Sequence, residues 1–141
     1  MTRQAHPRYC LQCDDGALLA HGTKNVSGVI AGEPYTAERV TGWHCPVCGE
    51  VEFDAADGQS AARLSAAVRA AHLRVKERNA QAVRVARKKL KLSQAEAGKL
   101  FGGGASAFSE YERGKTQPHK STMLLLRLLD KHPELLPEVA A

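Results

Sequence analysis

The stretch SQAEAGKLFGGGASAFSEYERGKTQPH, Ser93 to His119, decides how the second half of the chain folds. Ser93 stands three residues before Glu96. That is the spacing of a capping box, in which side chain and backbone satisfy two orphan donors reciprocally. It predicts a helix that runs to the glycines. Gly102, Gly103 and Gly104 break it, and ASAFSEYER forms a second helix stopped by Gly114 in the C-cap role. In that second helix Ala107, Phe108 and Tyr111 face a core. Ser106, Ser109, Glu110 and Arg113 fall at i, i+3, i+4 and i+7, so they share another face.

Helix, break and short polar-faced helix is the order of a helix-turn-helix. Serine bonds to several base edges, glutamate accepts from cytosine N4, and arginine donates to guanine or phosphate. Gln94 sits beside the free backbone N–H groups of the preceding helix, where a phosphate binds. Lys115, Thr116 and Gln117 are further phosphate candidates. A plain helical bundle with a solvated polar face shares the pattern, and Glu110 is repelled by phosphates. The three glycines widen the turn and let backbone approach closely.

Working outward, AQAVRVARKKL is amphipathic, with Val83, Ala86 and Leu90 on one side and Arg84, Arg87, Lys88 and Lys91 on the other. Pro118 marks the entry of a helix over KSTMLLLRLLDKH, which Pro133 ends, and ELLPEV closes the chain as a short helix. Upstream, Ala61 to Asn79 has no Gly or Pro and repeats Leu64, Val68 and Val75 at helical spacing, which predicts a bridging helix. FDAADGQS before it reads as a linker.

The first half reads differently. Residues 1–8 read as a loose tail. DDG, SG, AGEP and CG are turn signals, and the Val-, Ile-, Tyr- and Thr-bearing runs between them read as short strands and hairpins. CLQC at Cys10–Cys13 and CPVC at Cys45–Cys48 form two Cys-x-x-Cys knuckles with thirty-one residues between them. Two knuckles complete a tetrahedron of thiolates around one zinc ion. Four cysteines close the site, so the metal is structural. About 50 residues rich in glycine and turns bury little core, and metal binding then supplies folding energy. Gly49, behind the last ligand, stands where a knuckle turn wants a positive φ. Two disulfides or a redox pair are the competing readings; no secretory signal favours the first, and duplication of the knuckle disfavours the second. His44 reads as a strand or surface histidine.

Charge divides the chain in the same way. Of 141 residues with a net charge of +5, residues 1–58 carry four Lys and Arg against eight Asp and Glu, a net of −4. Residues 59–141 carry sixteen against seven, a net of +9. Opposite signs suggest partners of opposite sign, with nucleic acid for the basic half. The start, MTRQAHPRYC, carries no apolar run, and the longest one, MLLLRLL, contains Arg127. The expectation is a cytoplasmic protein with reduced cysteines, no membrane partner and no small-molecule substrate. No nucleophile–base set is present, so an enzyme is not expected.

The two knuckles, the segment GEPYTAERVTGWHCPVCG, the block ARKKLKLSQAEAGKLFGGGASAFSEYERG, QPH and LLRLLDKHPELL are similar to the MqsA (YgiT-type) family of antitoxins over nearly the whole chain. The resemblance implies an N-terminal zinc domain that binds and inhibits an MqsR-type mRNA-cleaving toxin. It also implies a C-terminal Xre/Cro-like helix-turn-helix that dimerises, binds a palindromic operator and represses its own operon. Dimer contacts would come from Leu124, Leu125, Leu128, Leu129, Leu135 and Leu136, not all of which a monomer core can use. Members of that family carry Asn and Arg where this chain has Ser106 and Glu110, so the base preference should differ.

The expected architecture is α+β with two domains. Residues 1–58 form a small β-rich zinc domain, 59–80 a connecting helix, and 81–141 a five-helix DNA-binding and dimerisation domain. The alternative function is a stand-alone zinc-containing helix-turn-helix regulator without a toxin.

Overall fold

The computed structural model describes residues 6–13 and 16–141; Asp14 and Asp15 of the expected DDG turn, and residues 1–5 of the expected tail, lie outside the described residues. The fold is α+β, a three-stranded antiparallel sheet in the order β1-β2-β3 plus five α-helices. The chain divides into two compact units, Met1–His72 and Leu73–Ala141.

In the first unit, β1 (Ala20–Ile30) and β2 (Glu33–His44) make one long hairpin, and β3 (Val51–Phe53) pairs with the end of β2. The expectation was several short strands; the two main ones are 11 and 12 residues long. The AGEP signal is the hairpin turn, at Ala31 and Gly32. A bulge between Lys24 and Val26 is stabilised by Asn25, whose Oδ1 accepts from the Arg39 amide at 3.1 Å. Ala37 and Val40 of β2 are buried.

The stretch read as a linker is a hydrogen-bonded turn. Asp54 Oδ1 accepts from the Ala56 amide at 2.9 Å and Asp57 Oδ1 from the Gln59 amide at 3.2 Å. Ser60, fully buried, donates to Asp57 and accepts from the Thr41 amide at 2.8 Å. Asp57 is held below the ordinary carboxylate range by that Ser60 bond and by the Gln59 amide.

The expected bridging helix and the first basic helix are one element, α1 (Ser60–Lys89). No Gly or Pro occurs between Asn79 and Gln81, so nothing ends the ladder there. It ends in a Schellman arrangement: Leu92 N–H reaches Arg87 O at 3.2 Å and Lys91 N–H reaches Lys88 O at 3.0 Å, with Lys91 at φ 57° in the left-handed region.

In the second unit follow α2 (Gln94–Phe101), α3 (Ala107–Glu112), α4 (Lys120–Lys131), a 3-10 turn (Pro133–Leu135) and α5 (Leu136–Val139). Its core joins Val83 and Ala86 of α1, Ala97 of α2, Phe108 of α3, and Met123 and Leu126 of α4, with Leu92, Phe101 and Tyr111 packed against it. Phe108 is fully buried, with its ring 5.7 Å from Phe101 and 5.5 Å from Tyr111 between centroids. Among the described residues, no helix is long and apolar enough to cross a membrane.

Candidate functional site

Each cysteine knuckle tops a narrow antiparallel pair. Tyr9 bridges Leu18 below Cys10 and Cys13, and His44 pairs with Val51 below Cys45 and Cys48. Matching backbone bonds close the two turns: Cys10 N–H to Ala17 O at 2.8 Å, and Cys45 N–H to Glu50 O at 2.9 Å. Gly49 takes φ 78°, as its place behind the knuckle requires.

The four sulfurs lie within 4.8 Å of one another. Cys10 Sγ is 3.6 Å from Cys48 Sγ, and Cys13 Sγ is 3.7 Å from Cys45 Sγ. These separations far exceed the roughly 2.05 Å of a disulfide, and all four cysteines are free. They match the edge of a sulfur tetrahedron around a metal, about 3.8 Å when each bond is about 2.3 Å. The four residues could therefore hold a metal ion. The Cys45 thiol is pulled down to about 6, first by the Cys48 backbone N–H, against burial, with Val47 N–H adding to it. Cys13 is pushed up, chiefly by its bond to Cys48 and by burial. Four crowded thiols ionise together only around a cation. His44 is buried at the end of β2, its Nε2 within 3.1 Å of Val40 O and 3.2 Å of Gly22 O, so it is a strand histidine bonded to backbone.

The second constellation is the α2–α3 pair. The capping box forms as its spacing predicts: Glu96 N–H donates to Ser93 Oγ at 3.1 Å and Ser93 N–H to Glu96 Oε2 at 2.7 Å. Gly102, Gly103 and Gly104 all adopt positive φ, between 84° and 93°, which lets the chain reverse tightly. Gly98 completes the turn from the helix side. A Cβ there would lie 2.0 Å from Gly104 O, so α2 and the turn approach as only glycine permits.

The structure places the six residues expected at DNA as follows. Ser106 is the exposed N-cap of α3, and Arg113 its exposed C-cap; both keep right-handed helical dihedrals, so the shared face extends beyond the six-residue helix. Ser109 and Glu110 are half-buried between them, and Arg113 Nε donates back to Ser109 O at 3.2 Å. Glu110 is partly neutralised, its Oε1 lying 3.8 Å from Lys115 Nζ and its Oε2 accepting from Thr116 at 3.4 Å. Gln94 does not stand free. Its Nε2 donates to Glu112 Oε2 at 3.0 Å.

Sequence reasoning missed Glu112. It is 7 % exposed and receives a two-point contact from Arg87, with Arg84 Nε at 3.7 Å and Gln94 beside it. Arg87, expected on the basic outer face of its helix, turns inward and also donates to Leu92 O at 2.8 Å. Burial opposes ionisation of Glu112, but the Arg87 and Gln94 bonds and the two arginine charges outweigh it and hold the carboxyl below its ordinary value. A partner 25 positions away leaves no local spacing signal; an acidic residue beside Tyr111 in a short helix was the only cue.

Of the six leucines expected at a dimer face, Leu129 is a correction. It is fully buried within its own unit and serves the monomer core. Leu124, Leu128 and Leu135 are 54 %, 48 % and 37 % exposed, and Leu125 and Leu136 are half-buried.

The family model described as "Antitoxin component of bacterial toxin-antitoxin system, MqsA" matches residues 8–140. A relative named Antitoxin MqsA, from Escherichia coli (strain K12), is 38% identical over 135 residues, covering 92% of this chain and 98% of the relative.

Proposed function

We propose, from the premise that this chain belongs to the MqsA family of antitoxins, that it works as two binding modules with no catalytic step. The N-terminal module neutralises an MqsR-type mRNA-cleaving toxin. The helical module binds a palindromic operator as a homodimer in the cytoplasm and represses its own operon. The boundaries we assign are 1–58, a connecting stretch 59–80, and 81–141.

In the N-terminal module Cys10, Cys13, Cys45 and Cys48 would hold one Zn²⁺, for which the sulfur spacing is a fit. Bound there, zinc supplies folding energy and no open coordination position. What the chain itself contributes is the paired turns that bring four thiols to one point.

In the helical module the supporting observation is the outward face of α3 beside the capped start of α2. Ser106 and Arg113 are exposed, so the hydroxyl and the remaining guanidinium N–H groups can reach base edges or phosphates, and Lys115 supplies a further cation. Glu112 acts as a positioning residue. It fixes the Gln94 amide, leaving Gln94 Oε1 and the first backbone N–H groups of α2 to face a phosphate. Leu124, Leu125, Leu128, Leu135 and Leu136 supply the dimer contact. Two copies then meet half-sites about one helical turn, roughly 34 Å, apart.

The test is anisotropy titration of the full chain against the DNA upstream of its own gene, over a series of salt concentrations. Specific binding should weaken steeply with salt, as phosphate neutralisation demands. Equal binding to unrelated DNA would refute the repressor reading. A pull-down with the adjacent gene's product, followed by an RNA-cleavage assay, tests the toxin. Specific operator binding without any toxin would leave a stand-alone regulator.

A further inference from the structure

The second unit holds a groove between α1 and the end of α3, with a volume of about 360 Å³. Residues four apart stand one above another on a helix, so two rows of α1 side chains form its long wall. Lys76, Ala80 and Arg84 make the inner row; Leu73, Glu77 and Gln81 make the outer, exposed one. Arg113 and Gly114 close the opposite side.

The inner row suits an anion. Lys76 and Arg84 stand two turns apart, about 12 Å along the helix axis, and the small Ala80 between them leaves a hollow. Arg113 adds a third cation from the C-cap of α3. Gly114, at φ 68°, brings no side chain, and the stem of Lys76 runs beside it: a Cβ there would stand 3.7 Å from Lys76 Cε. Arg84 Nη2 donates to Glu112 O at 3.2 Å and Arg113 Nε to Ser109 O at 3.2 Å, and each guanidinium retains further N–H donors. Two carboxylates share the groove. The charge of Glu112 is taken up by the two-point contact from Arg87. Glu77 is exposed, and neither it nor Lys76 forms an ion pair among the described residues.

The outer row has a different chemistry. Leu73 is 54 % exposed, Glu77 carries an open acceptor and Gln81 an exposed amide. An aliphatic side chain packs under a flat ring, a carboxylate accepts from an exocyclic amino group, and an amide bonds to base edges. An inorganic anion uses the cations alone. A duplex backbone shows its phosphates on a convex surface, makes nothing of Leu73, and sets a further phosphate against Glu77. A mononucleotide uses both rows, and the groove has the size of a small-ligand site.

We propose that this groove binds a nucleoside phosphate, with the phosphate held by Lys76, Arg84 and Arg113 and the base laid on Leu73 within reach of Glu77 and Gln81. Arg113 serves the operator reading as well, but the site stands without that reading.

The test is calorimetric titration of the full chain with GMP, AMP, CMP, UMP and inorganic phosphate. At least one nucleotide should bind about tenfold or more tighter than inorganic phosphate. Lys76→Gln should weaken that nucleotide about tenfold by removing a charged donor. Leu73→Ser should weaken it about fivefold and leave inorganic phosphate unchanged. Lys131→Gln is the matched comparison, since it removes an exposed cation of the same unit that does not line the groove; its affinity should equal that of wild type. Circular dichroism checks that each variant is folded. If no nucleotide binds more tightly than inorganic phosphate, or if Lys131→Gln costs as much as Lys76→Gln, only diffuse positive charge is at work and the proposal fails. The same variants are titrated against the DNA upstream of the gene. If Lys76→Gln weakens DNA binding while no nucleotide binds, the groove serves the DNA backbone and the proposal is overturned.

Discussion

The two units solve the same problem of stability with different means. In the first, the described buried residues are few and small: Cys10, Ala37, Val40, Cys45 and Ala71, with polar His44 and Ser60 among them. In the second, Phe108, Leu126, Val83 and Met123 close around a common centre, and Leu129 is fully buried as well. A sheet of long exposed strands with that little apolar burial needs another source of free energy, and four thiols around one ion would provide it. The helical unit needs none. The same difference separates their surfaces. The first unit leaves aliphatic side chains on acidic ground, and the second presents hydroxyls and cations.

The largest break in that comparison should come from the cysteines. Cys45→Ser, or a strong chelator, should unfold the first unit and abolish toxin binding while DNA affinity stays within a few-fold, as read by circular dichroism and anisotropy on the same sample. Next is the buried ion pair. Glu112→Ala leaves Arg87 without its partner and should cost the helical unit about 3–5 kcal/mol in denaturant unfolding. The pH dependence carries a sign. The folded Glu112 carboxyl lies below its ordinary value, so its contribution is full above the unfolded value, about 4.3, and is lost as the pH falls through the lower folded value. Glu112→Gln should flatten that acid limb, and unfolding curves between those limits measure it. Smaller still, Gly98→Ala forces a methyl onto Gly104 O and should cost about 1–3 kcal/mol of melting stability in the second unit alone. The smallest structural effect belongs to Arg113→Ala. It should leave the melting temperature unchanged and weaken operator binding by about 1–3 kcal/mol, or roughly five- to 160-fold.

Legibility in the sequence followed the range of the interaction. The capping box, the glycine turn and each Cys-x-x-Cys knuckle rest on spacings of a few residues, and the structure forms all of them. Phe108, Val83 and Ala86 were legible because helical periodicity repeats a local rule. The long hairpin was hidden by its glycines. Gly28 reads as a turn signal, yet it lies mid-strand beneath the Tyr35 side chain, whose hydroxyl comes within 2.6 Å of where a Cβ would be. The inward turn of Arg87 and the burial of Leu129 depend on partners distant in sequence. A charge run looks like a solvated face until the acid that neutralises one member is located, and a leucine-rich helix does not announce which of its leucines meets the core. Helix α1 was divided in reading at a place where no residue divides it.

The central claim is that a metal stabilises one unit and an apolar core the other. Hydrogen exchange on the full chain, before and after removal of the metal, tests it most directly. The account predicts that amides of residues 9–54 lose protection on chelation while those around Val83, Phe108 and Leu126 keep theirs. Equal loss of protection in both units would contradict it.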